Sequence, residues 1–189
     1  MRKVLVANIF GIGDVLFTTP LIFNLKRKTG GMVVDYLSNA RSKPIIELNP
    51  DIDEIFVYEK DDYDKLWKKS KIKFIKKCLE LFISIKNKKY DAVFDFTLSR
   101  KFSFLFKLAG IPRRIGLDYH KRGIFLTDKI SFEGFTGKHV IEYYLDLLKF
   151  LRIPKGEKQI QLVPDEKLLI WAKEYMKGHN LYGKNIIAV

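Results

Sequence analysis

The stretch Val4-Leu5-Val6-Ala7-Asn8-Ile9-Phe10-Gly11-Ile12-Gly13-Asp14-Val15-Leu16-Phe17-Thr18-Thr19-Pro20 decides how the rest of the chain is read. Val4–Ile9 is apolar except for Asn8. A run of that length, closed by a glycine-containing turn, reads as a buried parallel strand. Gly11 and Gly13 supply the turn, and a helical pattern follows over Val15–Lys28 until Gly30-Gly31 stops it.

The same alternation continues downstream. Strands are expected at Met32–Leu37, Ile55–Tyr58, Ala92–Phe96 and Arg114–Leu117. Helices are expected at Ala40–Leu48, Tyr63–Lys86, Ser99–Leu108 and Lys138–Leu151. Strands alternating with helices at this spacing form βαβ units, so the fold class is α/β, a parallel sheet with helices on both faces. Pro154–Lys158 reads as a linker, and a further helix is expected around Asp165–Lys177. The final run Asn185–Val189 reads as the first residues of another buried strand.

Composition excludes several classes. With 47% hydrophobic residues over 189 positions, the chain can bury a core and is not disordered. The single cysteine, Cys78, rules out an internal disulfide framework and a four-cysteine zinc site. His120, His139 and His179 lie far apart, so no metal site is expected from local spacing. The N-terminus imitates a signal peptide, but Asp14 in its centre would cost about 2.5–3.5 kcal/mol in a bilayer. Gly11, Gly13 and Pro20 also break the run as a helix. A net charge of +13 implies an acidic partner: nucleic acid, anionic lipid or a phosphorylated substrate. An AT-rich genome, which favours lysine, isoleucine and phenylalanine codons, is the plainer account of the same bias.

The Gly11–Pro20 loop follows the first strand, where ligands bind in open α/β sheets. It is not a dinucleotide fingerprint: Leu16 stands at the third glycine position, and Asp14 would repel a pyrophosphate. Walker A spacing is also missing. Asp14 has two readings. As an N-cap it would accept backbone amides for about 1 kcal/mol. As a carboxylate facing a cleft it would be a general base. An Asp14 cap would leave Pro20 inside the helix and the Leu16 carbonyl unpaired. A Thr19 cap with Pro20 as the first helical residue would leave Asp14 on a longer loop. Both readings stay open at this point.

Gly11-Ile12-Gly13-Asp14-Val15-Leu16-x-Thr18-x-Pro20 resembles the opening motif of glycosyltransferase family 9, the lipopolysaccharide heptosyltransferases. Glu47-Leu48-Asn49-Pro50, Tyr90–Asp95, Ala109–Gly116 and Lys138-His139-Val140-x-x-Tyr143 are similar to later segments of that family, in order over residues 1–151. The resemblance implies a GT-B enzyme, two Rossmann-like domains facing a cleft, with this chain holding the N-terminal, acceptor-binding half. It implies residues 1–153 as the Rossmann-like acceptor domain, 154–164 as the linker, and 165–189 as the start of a C-terminal nucleotide-sugar domain. It implies inverting transfer of a heptose or related sugar from ADP-heptose or another ADP-sugar to a lipopolysaccharide core acceptor of the Kdo-lipid A type. No metal or other cofactor is expected. Asp14 matches the general base, and the chain alone is expected to be inactive.

The same resemblance makes Gly11, Gly13, Thr18, Thr19, Arg113, Arg114, Lys138 and His139 candidate acceptor contacts. For the threonines and His139 capping is the competing account, and for the arginines surface charge. Lys60–Lys89 holds eleven lysines and four acids, with apolar residues near helical spacing. That pattern reads as a solvated helix face or as a contact with an anionic inner membrane. The expected location is cytoplasmic, peripheral to that membrane, and no nucleic acid is expected. The alternative is a non-catalytic basic domain binding nucleic acid or an anionic membrane surface.

Overall fold

The computed structural model describes residues 2–187. Five strands stand where the alternation places them: β1 (Lys3–Ala7), β2 (Val33–Ser38), β3 (Glu54–Val57), β4 (Ala92–Asp95) and β5 (Arg113–Tyr119). A sixth, β6 (Asp128–Phe132), has no counterpart in the expectations from sequence. The helices are α1 (Ile12–Leu16), α2 (Thr19–Thr29), α3 (Lys43–Ile46), α4 (Lys60–Lys69), α5 (Lys71–Asn87), α6 (Arg100–Leu108), α7 (Val140–Asp146) and α8 (Glu166–Gly178). The sheet is wholly parallel in the order β3-β2-β1-β4-β5-β6. The chain runs outward from β1 in one direction to β3, then returns to β4 and runs outward in the other. A crevice opens at such a switch, outside the carboxyl ends of β1 and β4.

Strand residues alternate between the two faces. Val4 and Val6, Val34 and Tyr36, Phe94 and Ile115 pack with Leu21, Ile22 and Leu25 of α2 and with Ile141 and Leu145 of α7. Leu5 and Ala7, Leu37, Phe56 and Val93 pack with Ile85 of α5 and Phe106 of α6. The Rossmann-like α/β class and its two helical layers are therefore as expected.

Two long helical expectations are corrected. Residues 15–28 are not one helix: α1 ends at Leu16, and α2 begins at Thr19 with Thr18 at its N-cap and Pro20 in its first turn. Residues 63–86 split at Ser70, whose backbone is extended and whose hydroxyl accepts from the Lys73 amide. The end of the expected 138–151 helix is a 3-10 turn, Leu147–Leu151.

The β5–β6 connection occupies only residues 120–127 and contains no helix. Parallel neighbours ordinarily need about a dozen residues to cross over. Gly116 makes the short route possible. A Cβ there would meet the Asp95 carbonyl oxygen at 2.6 Å and the Leu126 methyls at 3.1 and 3.3 Å. The connection thus lies flat against β5 where a side chain would stand. Asp118 secures its far end, accepting from the Gly123 amide at 2.7 Å and pairing with Lys129 at 2.8 Å. Lys129 holds the Asp118 carboxyl below its ordinary range, against a smaller upward push from burial.

Residues 154–164 carry no helix or strand. They run along the first unit, where Asn24 Nδ2 donates to the Glu157 carbonyl at 2.8 Å and the Gln161 amide donates to Thr19 Oγ1 at 2.9 Å. Helix α8 follows and buries none of its residues. Of the strand expected at 185–189, residues 185–187 form no strand, and 188–189 lie outside the described residues. Among the described residues, no helix is long and apolar enough to cross a membrane.

Candidate active site

The loop after β1 is clamped by buried polar side chains. Asn8 is fully buried; its Nδ2 donates to the Asp14 carbonyl at 3.0 Å and its Oδ1 accepts from the Phe10 amide at 3.1 Å. Just after β2, Asn39 Nδ2 donates to the carbonyls of Ile9 at 3.0 Å and Phe10 at 2.5 Å. Ser42 Oγ adds a third bond, to the Phe10 carbonyl at 3.2 Å. These bonds satisfy a backbone that no sheet or helix pairs, so the loop holds one shape.

Asp14 sits in the first turn of α1, with Gly11 at the N-cap position. The N-cap reading of Asp14 is therefore set aside. An ideal Cβ on Gly11 would stand 3.7 Å from Asp14 Oδ2, so the half-buried carboxylate folds back over the Gly11 backbone. Nothing lies within 4 Å of a Cβ on Gly13, which leaves open space beside the carboxylate. Burial drives the Tyr36 and Tyr144 phenols far above their ordinary range, and the Asp14 carboxylate adds to both shifts.

A cavity of about 810 Å³ opens at the carboxyl ends of β1, β3, β4 and β5. Ile9 and Phe10 form one wall, and Lys60, Arg100, Lys101, His120 and Arg122 bring charge and imidazole to the others. A smaller recess of about 200 Å³ adjoins it through Phe10 and Lys60 and adds Arg41. Two wall residues, Leu98 and His120, hold left-handed backbone, φ 51° and 47°. Such conformations cost about 1–3 kcal/mol each and concentrate at functional sites. The turn carrying Leu98 is fixed from beneath. Asp95 accepts from the Thr97 amide at 3.0 Å, Thr97 Oγ1 at 2.6 Å and Ser103 Oγ at 2.5 Å. Burial pushes the Asp95 carboxyl above its ordinary range, and those three bonds pull against it.

The residues singled out from sequence fall into two groups. Gly11, Gly13 and Asp14 lie together at the start of α1, and His139 approaches the other end of that helix at its C-cap, Phe17. His139 caps α7, its Nδ1 accepting from the Ile141 amide at 3.3 Å, and its ring meets Phe17 edge-on at 5.2 Å. Lys138 precedes it, paired with Asp146 and with its ammonium 4.3 Å from the Tyr143 ring centre.

Thr18 and Thr19 have backbone and phenol partners, which is the capping account weighed above for them. Both are buried. Thr18 Oγ1 donates to the Val15 carbonyl at 2.6 Å and meets Tyr36 Oη at 2.8 Å. Thr19 Oγ1 donates to the Leu16 carbonyl at 2.8 Å. The hydroxyls satisfy carbonyls left open at the α1–α2 break. Arg113 and Arg114 also have partners within the chain. They stand at the amino end of β5, three and two residues before Gly116, which is level with the end of β4. That puts them about 7–10 Å down the sheet from the cavity edge. Arg113 grips Asp128 at 2.8 Å and the Phe150 carbonyl at 2.7 Å, and Arg114 donates to the carbonyls of Phe125 and Ile111. Both guanidinium groups hold the sheet edge together.

The cavity cations Arg41, Arg100, Lys101 and Arg122 were not singled out from sequence. Arg100 and Lys101 could have been, since they follow the carboxyl end of a foreseen strand. The clamp of Asn8, Asn39 and Ser42 carries little local signal: two of its bonds are two or three residues long, but those that tie the loop together span 6 to 32 residues.

Comparison with known proteins fits this geometry. The family model described as glycosyltransferase family 9 (heptosyltransferase) matches residues 78–184, more than half of the chain. The chain belongs to glycosyltransferase family 9. A relative in this family, lipopolysaccharide heptosyltransferase 3 of Escherichia coli, is 29% identical over 153 residues, covering 78% of this chain and 42% of that protein. The solved glycosyltransferase family 9 structure from Veillonella parvula matches 98% of this chain and 51% of its own, at a TM-score of 0.77 and 21% identity. The E. coli heptosyltransferase WaaC with ADP-2-deoxy-2-fluoro heptose matches at a TM-score of 0.72 and 19% identity, covering 85% of this chain and 51% of that one. The family 9 chain described here thus spans about half the length of these relatives.

Proposed function

We propose that this chain is the acceptor-binding half of a heptosyltransferase-like enzyme, with Asp14 as its general base. The observation that carries this reading is Asp14 itself: a half-buried carboxylate beside open space at Gly13, on a clamped loop that also walls a basic cavity. The donor is an ADP-sugar, ADP-heptose or a close relative, and the acceptor is a lipopolysaccharide core of the Kdo-lipid A type. The cavity cations would pair with acceptor carboxylates and phosphates. His139 and Lys138 would contact the acceptor from the α7 side.

In the proposed step an acceptor hydroxyl oxygen attacks the anomeric carbon of the donor. Its proton passes to Asp14 as the new carbon–oxygen bond forms. The bond from the anomeric carbon to the diphosphate breaks with its electron pair going to the departing ADP. Attack from the face opposite the leaving group inverts the anomeric centre. The division into an acceptor domain (1–153), a linker (154–164) and the start of a donor-binding domain (165–189) belongs to the same proposal. Helix α8, none of whose residues is buried, supports it, presenting Leu168, Leu169 and Trp171 to solvent. A cytoplasmic site of action follows from a nucleotide-activated donor.

The test is Asp14→Asn in the protein that also carries the donor-binding half, followed by ADP release and by product mass. We expect kcat to fall at least about a thousandfold, in the range for loss of a positioned base, with donor affinity within about twofold of wild type. Unchanged turnover rejects Asp14 as the base.

A further inference from the structure

Helix α5 buries one stripe and exposes a second. Ile85 is fully buried, and Phe74, Cys78 and Leu81 share its side of the helix. About a third of a turn away Ile72, Ile75, Leu79 and Ile83 form another apolar stripe, 81, 52, 51 and 50% exposed. Phe104 and Leu108 of α6 extend it across the neighbouring helix. Between the helices lies an open apolar groove of about 340 Å³, lined by Ile75, Leu79, Phe82, Phe104 and Leu108. A contiguous exposed surface of this kind marks an interaction site.

We infer that this α5–α6 face docks on an anionic phospholipid bilayer. Charge decides the occupant. Lys73, Lys76 and Lys86 of α5 and Lys101 and Lys107 of α6 border the stripe, and Glu80 is the one acid on the two helices. Lysine is depleted at protein–protein interfaces, where burying it is costly. At a bilayer the same side chains lay their stems along the apolar surface and extend their ammonium groups to lipid phosphates. Lys86 already lies over the Phe82 ring in this way, 5.8 Å from its centre.

The face is also joined to the proposed acceptor cavity. The groove continues into a recess of about 260 Å³ that includes Tyr58, Tyr63 and Phe102. That recess in turn meets the basic cavity through Tyr58, Lys101 and Phe102. Lys101 lines all three. A chain docked by this face holds the basic cavity beside the headgroups, within reach of a lipid-linked acceptor. The orientation rests on the acceptor reading given above; the docking does not.

The test uses flotation with vesicles of phosphatidylcholine alone or mixed with phosphatidylglycerol, containing no glycolipid, so it is independent of sugar transfer. At about 0.1 M salt we expect binding to the mixed vesicles at least about tenfold tighter than to the neutral ones. Ile75→Asp with Leu79→Asp lowers it about tenfold or more. Lys73→Glu with Lys76→Glu lowers it at least as much. Lys167→Glu with Lys173→Glu on α8, an equal change of charge outside the face, alters it less than about twofold. Thermal melts confirm that each variant is folded; Ile72→Asp, at the most exposed position, replaces the double variant if that one unfolds. Indifference to phosphatidylglycerol, or to the Asp substitutions, overturns the proposal. So does a sedimentation result in which the same substitutions dissociate a dimer, which would make the face a contact between copies.

Discussion

Gly116→Ala tests the central packing claim, that the β5–β6 connection and the wall of the cavity depend on a missing side chain. An alanine Cβ would sit 2.6 Å from the Asp95 carbonyl oxygen, where ordinary contacts begin near 3.4 Å. Leu126 can rotate away from its 3.1 Å approach, but the carbonyl belongs to β4 and cannot. Asp95 is further pinned by its bonds to Thr97 and Ser103. Relief therefore requires β5 to move by several tenths of an ångström away from β4. Overpacking of this kind costs about 1–3 kcal/mol, and an immovable backbone partner puts the expectation at about 2–3 kcal/mol. For a chain of this size each kcal/mol lowers Tm by about 2–4 °C, so the fall should be about 4–12 °C. Circular dichroism melts at neutral pH read it directly. Gly13→Ala is the control, since no atom lies within 4 Å of its Cβ and it sits in α1. Alanine is better there than glycine by about 0.5–1 kcal/mol, so that variant should melt at or slightly above wild type. A Gly116→Ala protein melting within about 1 °C of wild type would refute the packing argument.

Three further outcomes follow from the site and its supports. Arg113 holds the Asp128 carboxyl below its ordinary range despite partial burial. Its stabilising contribution is therefore complete above about pH 4, the unfolded value, and is lost as pH falls through the folded one. Asp128→Asn should lower Tm by about 2–4 °C at neutral pH, a modest effect because Arg113 is one-third exposed; an undiminished gap at pH 3 would contradict the sign. Asn39→Ala leaves the Ile9 carbonyl and the Ser42 amide without their partner and the Phe10 carbonyl with Ser42 Oγ alone. A cost of about 2–3 kcal/mol is expected, checked by urea unfolding with unchanged m-value. Arg122→Ala removes an exposed cavity cation; in the longer enzyme it should raise acceptor KM about tenfold with kcat and Tm unchanged, and a shift in kcat alone would place Arg122 at the reacting atoms.

How much of this was legible in sequence depended on burial. The central strands β1, β2 and β4 are covered on both faces and read as apolar runs, so their positions and the α/β class were plain. Asp14 was legible by the same logic, because the first turn after the first strand meets the crevice whatever its detailed shape. Strand β6 was not. It is an edge strand whose residues Asp128-Lys129-Ile130-Ser131-Phe132 alternate in exposure, and no helix precedes it to complete the βαβ rhythm. The ion pair of Arg113 is illegible in sequence for the same reason, because its partner, Asp128, lies in that strand. His120 and Arg122 stand in the connection leading to that strand, so part of the cavity wall went unnoticed for the same reason.

Thr18-Thr19-Pro20 shows a different limit. Sequence reasoning correctly found that Pro20 threatens the Leu16 carbonyl, and offered two caps as ways out. The structure takes neither as stated. It breaks the helix after Leu16 and restarts it with Thr18 at the N-cap and Pro20 in the first turn. The Thr19 hydroxyl then supplies the bond that proline cannot give to the Leu16 carbonyl, and the Thr18 hydroxyl serves the Val15 carbonyl. Side chains that resemble anion-binding groups are thus consumed in repairing the backbone. That repair lets a one-turn helix stand apart from α2, with Asp14 in its first turn and Gly11 at its N-cap. A residue type suited to a ligand is informative only after the nearest unsatisfied backbone group has been given its partner.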